Sequence, residues 1–156
     1  FSGAWGYHRD ETSWKSPEQL VKMLINTVSC GGNLLMNVGP TARGTFDDRA
    51  LRALYVYEQW MHYNARSIYG CTQSGYEAPG GCRYTQNGDR LYVHIYDWPF
   101  KQLVLPELGA KCRYAQLLND ASEVKPRCGE DGALILALPV RKPDALVPVV
   151  ELFLEG

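Results

Sequence analysis

The segment Asn33-Leu34-Leu35-Met36-Asn37-Val38, bounded by Gly31-Gly32 and Gly39-Pro40, constrains the fold of this 156-residue chain more than any other. A strand of that composition is apolar on both faces, so both require cover. That is the pattern of a parallel strand inside an α/β core, not of a half-solvated hairpin. Helical periodicity flanks it on either side. Upstream, Ser16 can cap a helix with Pro17 in its first position and Gln19 three residues after the cap, and Leu20, Val21, Leu24, Ile25 and Val28 form one stripe. Downstream, Asp47 or Asp48 can cap a second helix over residues 48–64, with Leu51, Leu54, Tyr55, Glu58 and Met61 sharing a face. Only about two βα units fit in this stretch, so it reads as the end of something larger.

From about Cys71 the periodicity changes from near 3.6 to 2. Arg90–Tyr96 alternates, with Leu91, Val93 and Ile95 on one side and Tyr92, His94 and Tyr96 on the other. Asn87-Gly88 just before it is a strong hairpin signal, with Arg83–Thr85 as the partner. Further strands are predicted near 102–105, 111–118, 123–127, 133–138 and 148–154. Short strands at this spacing, without helices between them, indicate an antiparallel sandwich or barrel. The chain thus divides near residue 70, into an α/β part at 1–70 and an all-β part at 71–156.

Composition narrows the partners. A net charge of −1 and a pI near 6.3 give no electrostatic footprint for nucleic acid or an anionic membrane. No apolar run reaches the roughly 18 residues of a membrane span. Phe1 is not an initiator residue and no charged-then-apolar leader stands at the start, so the N-terminus reads as a cut or an incomplete reading and says nothing about export. Cys30, Cys71, Cys82, Cys112 and Cys128 form no zinc pattern with the scattered His8, His62 and His94. They read as buried thiols of a reducing compartment, with one disulfide in the C-terminal half as the alternative. Neither a metal nor a cofactor is expected.

In parallel α/β architectures the chemistry sits at the carboxyl ends of the strands. Two segments meet that description: Trp5-Gly6-Tyr7-His8-Arg9-Asp10-Glu11 and Asn37-Val38-Gly39-Pro40-Thr41. The first offers an aromatic platform for a sugar face together with carboxylates. Paired carboxylates across a glycosidic bond are the usual apparatus for hydrolysing it. Asp10 and Glu11, however, are adjacent and point apart, which suits solvated loop charges better than a catalytic pair. His8 suits an exposed or capping role, and Asn37 suits satisfying loop backbone groups. No nucleophile elbow, phosphate loop, dinucleotide fingerprint or zinc-protease motif occurs. On residues alone no catalytic pair assembles.

Trp5-Gly6-Tyr7-His8-Arg9-Asp10, the helix that follows, and Gly31–Thr41 together resemble the last stretch of the catalytic domain of family 29 α-L-fucosidases. Trp60-Met61 with Asn64-Ala65-Arg66-Ser67-Ile68-Tyr69-Gly70 resembles the segment after that family's last barrel helix, except that Ala65 stands where Gly is usual; Met36 replaces a Leu. The β region resembles the family's C-terminal sandwich, including its Leu91–Trp98 motif. The resemblance implies the last two βα units of a (β/α)8-like barrel followed by an antiparallel β-sandwich, within a retaining α-L-fucosidase that uses no metal. It implies that the aspartate nucleophile and the acid/base glutamate both lie upstream of Phe1. Of the family's functional residues, Trp5 alone carries over, as the aromatic lining the fucose pocket near the C5 methyl; packing at the barrel top is the alternative for it.

The partners then expected are a fucosylated glycan or fucoside, and the missing N-terminal barrel segment or another subunit. This polypeptide by itself is expected to lack hydrolase activity. The competing reading is a non-catalytic truncated module for carbohydrate binding or oligomer assembly, driven by apolar surface left without a barrel.

Overall fold

The computed structural model describes residues 1–155, and its elements follow from local signals in the chain. Helix α1 spans Pro17–Ser29 and opens with a complete capping box: the Gln19 amide N–H donates to Ser16 Oγ, and the Ser16 N–H donates to Gln19 Oε1. Helix α2 spans Asp48–Asn64 with Asp47 as its cap, and a single 3-10 turn at Ala65–Ser67 continues it. Tyr57 Oη donates to the Leu20 carbonyl at 3.2 Å and ties the two helices together.

Seven strands follow: β1 (Cys82–Asn87), β2 (Arg90–Ile95), β3 (Gln102–Leu105), β4 (Cys112–Leu117), β5 (Pro126–Cys128), β6 (Leu134–Ala137) and β7 (Val149–Leu154). They form an antiparallel four-stranded sheet in the order β1-β2-β7-β4 and an antiparallel three-stranded sheet in the order β3-β6-β5. The β1–β2 hairpin turns at Gly88, whose positive φ of 57° suits the Asn-Gly turn read from the sequence.

The two sheets close over one core, to which Leu91, Val93, Val150 and Leu152 contribute from one sheet and Leu105, Leu134 and Leu136 from the other. The opposite face of the four-stranded sheet is also covered. Val21 and Ile25 of α1 and Trp60 of α2 pack there against Tyr92 and Val149, and Trp60 Nε1 donates to the Val147 carbonyl at 2.9 Å. Strand β2 is therefore buried on both sides, which explains its lack of any solvated face.

Two expectations need correction. Among the described residues, 33–38 carry no strand, and Leu35 is 92% exposed. An apolar run forms a ladder only against a neighbouring strand, and none lies beside this one. Leu34, Met36 and Val38 instead border an open apolar groove of about 470 Å³ together with Leu24, Leu54 and Met61. The α2 face read from the sequence is also only partly used: Leu51 and Tyr55 are exposed, while Ala50, Ala53, Trp60 and Asn64 are buried. Small residues there let the helix approach its neighbours closely, which a hydrophobicity pattern does not register. The five cysteines are unbridged, and only Cys82 is buried, so the reading of buried thiols holds for one of them.

Candidate functional site

The two segments singled out in the sequence meet in space. Asn37 Nδ2 donates to the Trp5 carbonyl at 2.6 Å. The backbone of Gly39 lies against Gly6 and Tyr7, so close that an added Cβ would sit 2.2 Å from the Tyr7 nitrogen. Only glycine fits there. The Trp5 carbonyl is thus held while its indole, 84% exposed overall, stands free of the core. Trp5 borders an open cavity of about 320 Å³ with Lys15, Met23, Leu35 and Asn37. An exposed indole beside a cleft can desolvate the C–H face of a sugar. A larger cavity, about 760 Å³, lies between loops 119–122 and 139–145 and shares no residue with this loop pair.

Residues 1–16 form no helix or strand, so their shape depends on side-chain bonds and a few isolated backbone ones. Glu11 Oε1 accepts from the Ser13 N–H at 2.7 Å and from Ser13 Oγ at 2.6 Å, and these bonds hold its carboxyl below the usual carboxylate range. Asp10 pairs with Arg9 at 3.0 Å on the open surface, and its N–H donates to His8 Nδ1 at 3.3 Å. Both carboxylates are therefore engaged within the loop, and the structure brings no second carboxylate opposite either of them. Among the described residues, no cluster of His, Cys, Asp or Glu is arranged to hold a metal ion.

Arg49, which the sequence reading passed over, ties this loop to α2. Its Nε and Nη2 donate to the two oxygens of Asp47 at 2.8 and 3.0 Å, Nη1 donates to the Glu11 carbonyl at 3.1 Å, and Nη2 reaches the Arg9 carbonyl at 3.4 Å. The guanidinium also lies 4.5 Å from the centre of the Trp14 ring. Beside it the Asp47 carboxyl is held down at about 2. One signal was visible in the sequence: an arginine in the first turn of a helix opposes the helix dipole and requires an anionic partner or another purpose.

Two buried polar groups stand between the helices and the four-stranded sheet. Thr85 Oγ1 donates its hydrogen to the Ser67 carbonyl at 2.6 Å and so accepts from His94 Nε2 at 2.9 Å, which fixes the ring as the neutral Nε2–H form. His94 Nδ1 has no partner, and complete burial pushes the imidazole down to about 3. Nearby, the buried Glu151 accepts from Tyr92 Oη at 3.2 Å and Gln116 Nε2 at 2.6 Å, and pairs with Arg66 at 3.2 Å. Neither group approaches the Trp5 loop, and both serve the seam between layers.

Comparison with known proteins finds likeness to alpha-L-fucosidases. The family model described as alpha-L-fucosidase matches residues 1–66. The chain is 37% identical to an alpha-L-fucosidase of Branchiostoma floridae over 105 residues, which cover 62% of this chain and 22% of that protein. It is 44% identical over 68 residues to the plasma alpha-L-fucosidase of Homo sapiens, covering 42% of this chain and 15% of that protein. In structure it resembles alpha-L-fucosidase isoenzyme 1 of Paenibacillus thiaminolyticus with a TM-score of 0.91 and 37% identity, over 97% of this chain and 38% of that one. The chain thus spans well under half the length of each.

Proposed function

Since the chain corresponds in sequence and fold to the C-terminal part of family 29 α-L-fucosidases, we propose that it serves a retaining α-L-fucosidase that hydrolyses terminal α-L-fucosyl linkages of glycans. Residues 1–70 would supply the last two βα units of a (β/α)8-like barrel, and residues 71–156 its β-sandwich. The uncovered run 33–38 and the apolar groove beside it support this reading, because each is shaped for strands and helices that these residues do not contain. The nucleophile and the acid/base would come from other segments of the protein, consistent with loop carboxylates already committed to Ser13 and Arg9.

Within that enzyme Trp5 would line the fucose pocket and desolvate the C5-methyl face of the sugar. The observation that carries the proposal is the mounting of Trp5 at the junction of the two loops, held by Asn37 and the close approach of Gly39. The test is hydrolysis of a chromogenic α-L-fucoside by the whole protein that contains these residues. Trp5→Ala should lower kcat/KM by about tenfold or more, the loss of one aromatic face of a desolvated pocket; an unchanged value removes Trp5 from the site. The 156-residue chain alone should show no turnover, and turnover at ordinary glycosidase rates would return the catalytic pair to this chain.

The same groove favours a second reading, in which the module binds carbohydrate without catalysis or pairs with another copy of itself. Light scattering coupled to size exclusion decides its assembly arm, since a stable monomer counts against it.

A further inference from the structure

Loop 1–16 has no backbone ladder to any neighbour, yet it must present Trp5 in one pose if the indole is to recognise a sugar. Its internal bonds fix its own curvature: Gly3 N–H to Ser13 Oγ at 3.0 Å, the Glu11 N–H to the His8 carbonyl at 3.2 Å, and Trp14 Nε1 to the Glu11 carbonyl at 3.1 Å. None of these fixes where the loop sits on the rest of the molecule. Hydrogen bonds at its two limbs do so, and on the first limb the Phe1 amine also donates to the Asn37 carbonyl at 2.9 Å beside the close approach of Gly39 to Tyr7. Asn37 holds the Trp5 carbonyl on that limb, and Arg49 holds the far limb of the loop.

We propose that Arg49 is a positioning residue for Trp5, clamping the Arg9–Trp14 limb to the first turn of α2 and so fixing the loop at its second end. The proposal rests on the fucosidase reading for its consequence but not for its geometry. A guanidinium is required because three jobs fall on one rigid fork. It holds Asp47 through two nitrogens, caps the Glu11 and Arg9 carbonyls, and covers the Trp14 ring. Lysine offers a point charge with three donors but neither the planar fork that pairs Asp47 through two nitrogens nor a flat face for the Trp14 ring. The Glu11 carbonyl receives both Trp14 Nε1 and Arg49 Nη1, so loss of the arginine loosens the turn just where the loop reverses. Asp47 also caps α2 through the Arg49 N–H at 2.9 Å, so the clamp is anchored to the helix start itself. Arg49 touches no expected position of the sugar, and it acts through the loop.

The test uses the whole protein carrying these residues, as Arg49→Met, Arg49→Lys and the parent. Arg49→Met should raise KM for a chromogenic α-L-fucoside about tenfold while kcat stays within about threefold, because the reacting groups are untouched and only the binding wall moves. Arg49→Lys should recover part of the loss. Limited trypsin digestion provides a readout without activity: cleavage after Arg9 and Lys15 should be at least about tenfold faster in Arg49→Met, as expected for a loop that opens more often. Unchanged digestion in Arg49→Met overturns the clamp. Faster digestion with an unchanged KM overturns the role in positioning and leaves a purely structural tie. A parent protein without fucoside turnover removes the fucosidase reading instead, and the digestion result then decides the clamp by itself.

Discussion

Strand β2 and the run 33–38 each set apolar side chains at alternate positions, Leu91, Val93 and Ile95 in one and Leu34, Met36 and Val38 in the other, yet they meet opposite fates. Leu91, Val93 and Ile95 of β2 enter the core between the sheets while Tyr92 and His94 are covered from the other side, and β1 and β7 pair with its two edges. Leu35 lies open, and no strand flanks its segment. The difference lies in partners, not in composition. An apolar stripe states how much cover a segment demands, and nothing about whether the same chain contains that cover.

That contrast can be broken most directly by paired truncations. Leu152→Ala, in the core shared by the sheets, should cost about 2–5 kcal/mol of unfolding free energy by denaturant titration, whereas Leu35→Ala in this chain should stay within about 0.5 kcal/mol. Comparable losses at both sites would mean that 33–38 is covered after all. In the whole protein Leu35→Ala should become costly, which sharpens the comparison.

A smaller effect tests how β7 is held at its covered helix-side face. Glu151→Gln keeps the shape but weakens the bonds from Tyr92 and Arg66, and should cost about 1–3 kcal/mol by the same titration. No loss would show the carboxylate charge to be irrelevant to the seam.

At neutral pH the contrast is silent in one respect, which acid brings out. His94 is held near 3 in the folded protein against its ordinary 6.5. The unfolded chain therefore binds a proton that the folded one refuses between those values. The contribution is fully present above 6.5 and falls as pH drops through the window, by at most about 1.4 kcal/mol per pH unit. His94→Gln should flatten the dependence of thermal stability on pH between 6 and 4; an identical slope in the variant would assign the acid sensitivity to other groups.

What could be read from the residues follows the range of the forces involved. The start of α1 was legible because Ser16, Pro17 and Gln19 specify it within one turn. The β1–β2 hairpin was legible because Asn87-Gly88 sets its register, and the remaining strands fell close to their predicted spans. The buried face of α2 was not, since Ala50 and Ala53 are chosen by the closeness of neighbours that no local pattern encodes. Within the candidate site, the two loops were recognisable by their chemistry, whereas the bond from Asn37 to Trp5 spans 32 residues and could only be found in space. Arg49 was missed for the same reason: its carbonyl acceptors lie 38 and 40 residues away in a loop without periodicity.

The close approach at Gly39 limits how either loop can be exchanged, which matters for redesign on the proposed fucoside reading. Because that backbone leaves no room for even a methyl group beside Tyr7, the two loops behave as meshed teeth. Grafting a foreign sequence into one of them while retaining the other would jam the pair. New specificities should therefore be sought by exchanging both loops together as a single cassette.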